Sequence, residues 1–352
     1  MDVFDFIFII IFLCTILFSF FKNKYLEKYL FIICGIYLIC IAGLRASDIG
    51  IDTTTYYNAF YNELPNDIYN IYENGTAIAF WAYAYMIKRL TNSYQILLFC
   101  DAVISVGLIM RYIYGKSKNC WLSLLFYVTC GFYAIGLHLI KQYLAMSIII
   151  YSIDYIINRK KKGFFFCVFL AALIHPAAIL FLPAYFIAYR EISIKNNIIY
   201  LIFSVICFAL GKYILTLISA LLFNGLYGTL YSLDNDSETG QMMFLVYLIV
   251  LAFLLIKKNH ILLIDSNNII YYNFLWIIIA IQSFSYYFAI ASRVTYFYSI
   301  TLVSFIPSLL YSIDNKYCRR LLTILFCITC LYAYYTKFYN LNDIYPYKFF
   351  FE

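Results

Sequence analysis

The fold is decided around residues 29–56, which read YLFIICGIYLICIAGLRASDIGIDTTTY. An apolar run ends at Arg45, and a polar segment that contains Asp52 follows it. A charged side chain is costly at the edge of a membrane helix, so its presence there indicates a functional role. This stretch therefore predicts a membrane helix that ends at a site for an anionic ligand.

The whole chain has the composition of a membrane protein. Of its 352 residues, 65% are hydrophobic and 12% are charged, too few polar side chains to cover a soluble globule. The apolar runs have helix length and lack the alternating pattern of an outer-membrane barrel. We expect an all-α polytopic membrane protein, a single domain over 1–352, with about 10–12 transmembrane helices and one or two re-entrant or broken elements.

The distribution of basic residues predicts the topology. Clusters such as 159–162 mark cytoplasmic loops, which places the N-terminus outside. The loops 45–75 and 223–241 and the tail 337–352 then lie on the outer face. Segment 76–90 is interpreted as a re-entrant or interfacial helix, and 163–189 as two short helices that meet at His175.

Other classes of protein are disfavoured by the sequence. The net charge of +7 is explained by basic cytoplasmic loops, and no basic helix interleaved with aromatic residues predicts nucleic-acid binding. The 11 cysteines are spread along the chain and lie mostly inside apolar runs, so neither a disulfide framework nor a zinc site is expected. No carboxylate cluster predicts a metal, and no cofactor is expected.

Five side chains from distant segments converge on the outer face by this topology. They are Arg45, Asp52, Lys141, His175 and Arg293. Arg293 is expected in a tight turn at the membrane surface. His138 stands one helical turn before Lys141, which predicts that the two share a helix face.

Each of these residues also has a structural interpretation. An arginine at a helix end often extends to lipid headgroups, which applies to Arg45 and Arg293. Asp52 is also placed to form an Asx-turn with the threonines after it. His175, next to a proline, fits a buried structural histidine as well as a proton carrier.

The ordered set of residues resembles a known family. It comprises Arg45, Gly50, Asp52, Tyr56 and Phe60, then Lys141-Gln142-Tyr143-Leu144-Ala145, Ala172-Leu173-Ile174-His175-Pro176-Ala177, Arg293 with Tyr296-Phe297, Pro307, and Tyr345-Pro346-Tyr347-Lys348. In order and approximate spacing, it is similar to the EpsG family, which is grouped with Wzy-type O-antigen and capsule polymerases. Lys141 departs from the arginine that the family usually carries there, and a lysine lacks the bidentate fork of arginine.

The resemblance implies a glycosyltransferase of the bacterial inner membrane with its active site on the periplasmic side or cell exterior. Its donor and acceptor would be oligosaccharides linked to undecaprenyl diphosphate within the lipid bilayer, and a chain-length regulator is a candidate partner. The donor glycan would pass to the non-reducing end of another lipid-linked repeat unit, without a metal and with inversion. Such a lipid diphosphate needs cations that stabilise the leaving group.

The roles of individual residues follow from this chemistry. Arg45, Lys141 and Arg293 are candidates to bind the diphosphate. Asp52 and His175 are the candidate general bases, with Asp52 preferred because nearby cations keep a carboxylate charged.

The glycan is expected to contact further side chains. These are Tyr56, His138, Gln142 and Tyr296. The outer loops 45–75 and 223–241 are expected to line the sugar groove.

Three alternatives stay open at this point. An O-antigen-ligase-like transferase uses the same donor with a different acceptor, and the sequence barely separates it from a polymerase. A flippase or transporter for lipid-linked glycan would carry charges along a path through the membrane. A membrane O-acyltransferase would use a buried histidine such as His175 or His138.

Overall fold

A computed structural model describes residues 3–21, 23–64, 77–223, 238–284, 290–338 and 344–352. In this part of the chain the regular structure is helical, with one isolated β-bridge between Arg45 and Phe349, so the all-α prediction is confirmed. The residues group into two compact units, Met1–Ile179 with Val303–Glu352, and Leu180–Leu302. That the chain is a single membrane domain stays a prediction.

The helices follow one another along the described parts of the chain. They are α1 Val3–Phe20, α2 Lys24–Gly43, α3 Thr53–Asn58, α4 Ile78–Thr91, α5 Tyr94–Lys116, α6 Cys120–Thr129, α7 Phe132–His138, α8 Ile140–Ile157, α9 Lys161–Ile174, α10 Ala184–Ile187, α11 Ile194–Phe223, α12 Glu238–Ile264, α13 Asn268–Phe284, α14 Ile290–Ser299, α15 Leu302–Tyr311 and α16 Lys316–Ala333. Short π-helical segments, Ala59–Glu63 and Tyr334–Phe338, extend α3 and α16, and a 3₁₀-helix, Pro176–Phe181, follows α9.

Asparagine side chains fix where several helices begin. The Asn23 side chain accepts a hydrogen bond from the Leu26 N–H at 3.1 Å, and Asn119 accepts one from the Leu122 N–H at 3.1 Å. Asn315 does the same at the start of α16. These oxygens satisfy N–H groups that have no partner within the helix, so the polar residue before each apolar run sets its start.

The break inside segment 163–189 lies where the sequence predicts it. Helix α9 ends at Ile174, and His175 adopts an extended conformation with φ −143° and ψ 111°. A proline disfavours helical geometry in the residue before it, so Pro176 accounts for this end. Helix α4, with 14 residues, is shorter than the roughly 20 residues that an upright span needs.

Six of the described helices are long and apolar enough to cross a membrane, or eight if two bent pairs count as one span each. One bent pair is α6 and α7, whose axes differ by 47° at a break where Gly131 has φ +85°. Three shorter apolar helices are also present. The expected count of about 10–12 is reached only if these shorter helices span as well.

The packing of the first unit brings certain helix ends together. Helix α2 packs on α5, α5 on α8, and α8 on α9. The turn 158–160 joins α8 to α9 as an antiparallel pair, so Lys141 and His175 lie at the same end of this pair.

The second unit has its own aromatic core. The ring of Phe181 packs against those of Phe274 and Tyr298, with centroids 5.6 and 4.6 Å away. The Tyr298 hydroxyl donates to the Leu180 carbonyl at 2.8 Å. This core fixes one face of α14, the helix that carries Arg293.

Candidate functional site

Arg45 lies just after the end of α2, where the C-terminal segment crosses it. Arg45 forms an antiparallel bridge with Phe349, and the Ala46 N–H donates to the Lys348 carbonyl at 3.0 Å. The Tyr347 hydroxyl donates to a carbonyl of α2 at 2.6 Å. We call residues 344–352 the C-terminal strap. The strap holds the chain as it leaves α2.

The Arg45 side chain is buried beneath this crossing. It is 3% exposed, and its Nη1 donates to the Ala42 carbonyl. Its Nε is buried without a hydrogen-bond partner, and the residue lines a small cavity. The cavity has a volume of about 10 Å³ and is lined by Ala42, Arg45, Asp101, Ala102, Ser105, Val106, Tyr133, Gly136, Leu137 and Tyr143.

Burial and the neighbouring acidic groups have opposite effects on the pKa of Arg45. Burial lowers the pKa of the guanidinium, while Tyr94 and Asp101 act in the opposite direction. An arginine guanidinium remains charged in proteins. A buried, permanently charged group of this kind needs a nearby negative charge.

Asp101 is the carboxyl group that acts on Arg45 in this environment. It lies within α5, is 5% exposed, and its Oδ1 has no hydrogen-bond partner. The sequence interpretation did not include it. The signal was present, since a carboxylate inside the apolar run Phe99-Cys100-Asp101-Ala102-Val103 is an intramembrane charge, which indicates function.

The segment after Arg45 lies against the end of α7. Gly50 has φ +95°, and a Cβ there would stand 2.0 Å from the Leu137 carbonyl oxygen. The Ile51 N–H donates to Nδ1 of His138 at 3.4 Å, and the Asp52 N–H donates to the His138 carbonyl at 3.2 Å. Only glycine permits this close approach, which places Asp52 beside the start of α8.

Lys141 is held by aromatic rings. Its ammonium lies 4.7 Å from the ring centroid of Tyr56, 5.1 Å from that of Trp81 and 5.9 Å from that of Phe80. We call these three rings the aromatic box. Lys141 is partly exposed, and no hydrogen bond or ion pair joins it to the residues that the structure describes.

Asp52 completes the surroundings of the aromatic box. The Tyr56 hydroxyl donates to Oδ2 of Asp52 at 3.3 Å, and the negative charge of Asp52 acts on Lys141. Asp52 precedes α3 but makes no side-chain hydrogen bond to the first turn of that helix, so the Asx-turn is not formed. A carboxylate, a phenol and an unpaired ammonium thus lie together at a partly exposed place.

The structure separates His138 from Lys141 more than the sequence suggested. Helix α7 ends at His138, and Leu139 leaves helical geometry with φ −117° and ψ 67° before α8 begins. The prediction that both lie on one continuous helix face is therefore wrong. His138 instead holds the segment after Gly50, and both it and Gln142 are buried.

The remaining predicted residues lie in other settings. His175 is partly exposed at the end of α9, on the same end of the α8–α9 pair as Lys141. Arg293 is exposed inside α14, so the prediction of a tight turn is wrong, because the helix continues through it from Ile290 to Ser299. Tyr296, one turn along, is partly exposed.

Parts of the predicted outer loops are outside the described residues. These are 65–75 of the loop 45–75, 224–237 of the loop 223–241, and 339–343 of the tail. Trp81 is a further residue that the sequence interpretation missed, since the rings of the box come from two separate segments, α3 and α4.

The described ranges thus define a polytopic α-helical membrane protein with cationic side chains at helix ends. A sequence model of the EpsG family matches residues 28–349, nearly the whole chain. The chain therefore belongs to the EpsG family, a Wzy-like polymerase family, as the sequence motifs predicted. No curated protein and no solved structure matches it.

Proposed function

We propose that this protein is a membrane glycosyltransferase that polymerises oligosaccharide repeat units carried on undecaprenyl diphosphate. Family membership supports a Wzy-like polysaccharide polymerase in broad terms. The observation that carries the finer proposal is the Lys141 ammonium, held by the aromatic box beside Asp52. An ammonium held by ring faces keeps its N–H donors available for an incoming anion.

The proposed reaction is a single displacement at the anomeric carbon of the donor. A hydroxyl oxygen of the acceptor repeat unit bonds to that carbon, and the bond from the carbon to the diphosphate oxygen breaks. The hydroxyl proton passes to a general base, and undecaprenyl diphosphate leaves with the electron pair. The configuration at the anomeric carbon inverts.

Some of the candidate residues act on the leaving diphosphate, and others act on the attacking hydroxyl. Lys141 contacts the diphosphate, and Arg293 is the second candidate contact. Asp52 accepts the proton, with His175 as the other candidate base.

Arg45, 3% exposed under the C-terminal strap, acts on the diphosphate through its charge. Its buried side chain does not reach the diphosphate directly in this conformation. Tyr56, His138, Gln142 and Tyr296 remain the candidates for glycan binding.

Analysis of surface glycan tests the function. A strain without the gene is expected to display single repeat units, and the wild-type gene restores a ladder of long chains. Long lipid-linked polymer in the deletion strain would instead indicate a ligase. Repeat units retained inside the cell would indicate a transporter.

The matched variants for this assay each replace one lysine, one at the proposed site and one away from it. Lys141→Ala is expected to leave single units, while Lys161→Ala, at the other end of the α8–α9 pair, restores the full ladder. Equal ladders from both variants would remove Lys141 from the proposed site.

Labelling of introduced cysteines tests the proposed periplasmic face. Asp48 has a side chain that is 60% exposed, and Lys160 is exposed at the opposite end of the fold's α8–α9 pair from Lys141. We expect Asp48→Cys to react with an impermeant thiol reagent in intact spheroplasts and Lys160→Cys only after lysis. Cys130 and Cys318 are replaced by serine first, because both are exposed. Reaction of both sites from one side contradicts the proposed topology.

A further inference from the structure

Asp101 is a carboxylate within a helix that is long and apolar enough to span the membrane. Helix α5 extends from Tyr94 to Lys116, and Asp101 is 5% exposed. An ionisable residue in such a place is costly and indicates a function with a definite partner. Nothing in the proposed reaction so far uses this side chain.

The geometry around Asp101 identifies its partner as Arg45. Both side chains line the same cavity of about 10 Å³, and each has a buried polar atom without a partner, Oδ1 of Asp101 and Nε of Arg45. The two side chains do not form a direct ion pair within 4.0 Å. A polar cavity of this size fits about one water molecule.

The other groups around the cavity are neutral. Ser105, Tyr133 and Tyr143 line it together with apolar residues, and Asp101 is the one carboxylate among the lining residues, all of which the structure describes. The Tyr133 hydroxyl donates to the Leu38 carbonyl at 2.7 Å, and Ser105 donates to the Asp101 carbonyl at 2.6 Å. Both hydroxyl protons are therefore committed elsewhere, and Asp101 is the acidic group that the cavity offers to Arg45.

We propose that Asp101 is a positioning residue that holds the guanidinium of Arg45 in place through a water molecule in their shared cavity. Without Asp101, the guanidinium would keep its hydrogen bond to the Ala42 carbonyl, but nothing would hold its Nε side. The pairing fixes the guanidinium, the positive end of the pair, at the end of α2, where the proposed function needs it. The role of this charge in catalysis rests on the proposed function, whereas the pairing of the two residues does not.

Variants of both residues test this pairing in the full-length protein. Arg45→Met and Asp101→Leu are each expected to lower the melting temperature in detergent by about 5 °C or more, because each leaves a buried charge alone. The double variant Arg45→Met/Asp101→Leu is expected to recover to within about 2 °C of the wild type, since replacing a whole buried pair by apolar groups is often neutral. A double variant as unstable as the sum of the two single variants overturns the pairing.

Surface glycan separates positioning from a merely structural role. The double variant is expected to accumulate normally and yet display only short chains. Asp101→Asn is expected to reduce long polymer by about tenfold or more at normal abundance, because small misplacements near a reacting centre are costly. Asp101→Glu, which keeps the charge, is expected to restore longer chains than Asp101→Asn.

The matched control is Asp154→Asn, in α8. Asp154 pairs with Arg111 at 3.1 Å and Lys116 at 2.6 Å but is 27% exposed, so its charge is not confined to a closed cavity. It is expected to keep the full ladder. Wild-type chain lengths from Asp101→Asn overturn the positioning role and leave the Lys141 result standing, whereas full ladders from Lys141→Ala overturn the proposed function and leave the pairing standing.

Discussion

Arg45 and Lys141 are two cations at helix ends in the same unit, and the protein treats them in opposite ways. Arg45 is sealed under the C-terminal strap with a carboxylate across a small cavity. Lys141 rests on the faces of aromatic rings and is partly exposed. Ring faces stabilise a cation without using its hydrogen-bond donors. The Lys141 ammonium is therefore open to solvent, whereas the Arg45 guanidinium is enclosed by the fold.

The largest effect is expected when the buried Arg45 is replaced. Arg45→Ala leaves Asp101 as a lone buried charge, and we expect it to lower the free energy of unfolding by about 3–5 kcal/mol. Thermal denaturation and protein abundance measure this. Arg111→Ala is the control, because the Arg111 side chain is 57% exposed in its pair with Asp154 and an exposed pair contributes about 0–1 kcal/mol. Equal losses from the two variants would show that Arg45 is not held differently.

The second largest effect is expected for Lys141, the cation on the aromatic box, and it concerns activity alone. Lys141→Ala is expected to reduce polymerisation by about 10²–10³-fold, the usual range for a lost group that stabilises transition-state charge. Its melting temperature is expected to stay near that of the wild type. Lys141→Arg, which keeps the charge, is expected to be tolerated. Normal abundance with no polymer from Lys141→Arg would mean that the site needs the compact ammonium itself.

Gly50→Ala tests the segment that connects Arg45 to Asp52, close to Lys141. The new Cβ meets the Leu137 carbonyl oxygen, and the positive φ strains any L side chain. We expect a loss of at least about 1–3 kcal/mol in stability together with shorter chains, because Asp52 is displaced. Gly107→Ala is the control, since its Cβ would meet nothing within 4 Å. A normal ladder from Gly50→Ala would show that the position of Asp52 does not matter.

The smallest expected effect is that of Tyr56→Phe. This change removes the hydroxyl that donates to Asp52 but keeps the ring under Lys141. The loss of one hydrogen bond predicts a cost of about 0.5–1.5 kcal/mol, which is roughly a 2- to 13-fold lower polymerisation rate. Tyr56→Ala also removes the ring and is expected to do more harm. Equal effects would show that the hydroxyl, and not the ring, holds this place together.

Local features of the sequence predicted much of the fold. Apolar runs of helix length gave the helices, and the proline after His175 marked the end of α9, since both effects act over a few residues. Arg293 was placed in a turn because an apolar run preceded it, yet nothing in that stretch breaks a helix. The separation of His138 from Lys141 depends on Leu139, whose backbone conformation no local signal announces.

The site was less predictable because distant segments build it. The strap that buries Arg45 lies about 300 residues along the chain, and Tyr56, Phe80 and Trp81 meet Lys141 from two further segments. Pairings at such separations are set by helix packing and not by local propensity. Asp101 was the exception, since its charge within an apolar run was visible in the sequence and went unused.

The docked C-terminal strap has a consequence for handling the protein. Residues 348–350 exchange backbone hydrogen bonds with 44–46, and Ile344 is fully buried. An affinity handle fused after Glu352 therefore extends a segment that is itself seated in the structure. A handle that pulls on this segment is expected to loosen it and expose Arg45 to solvent. Purification through the opposite end of the chain, or through a handle with a long polar spacer, avoids this disturbance.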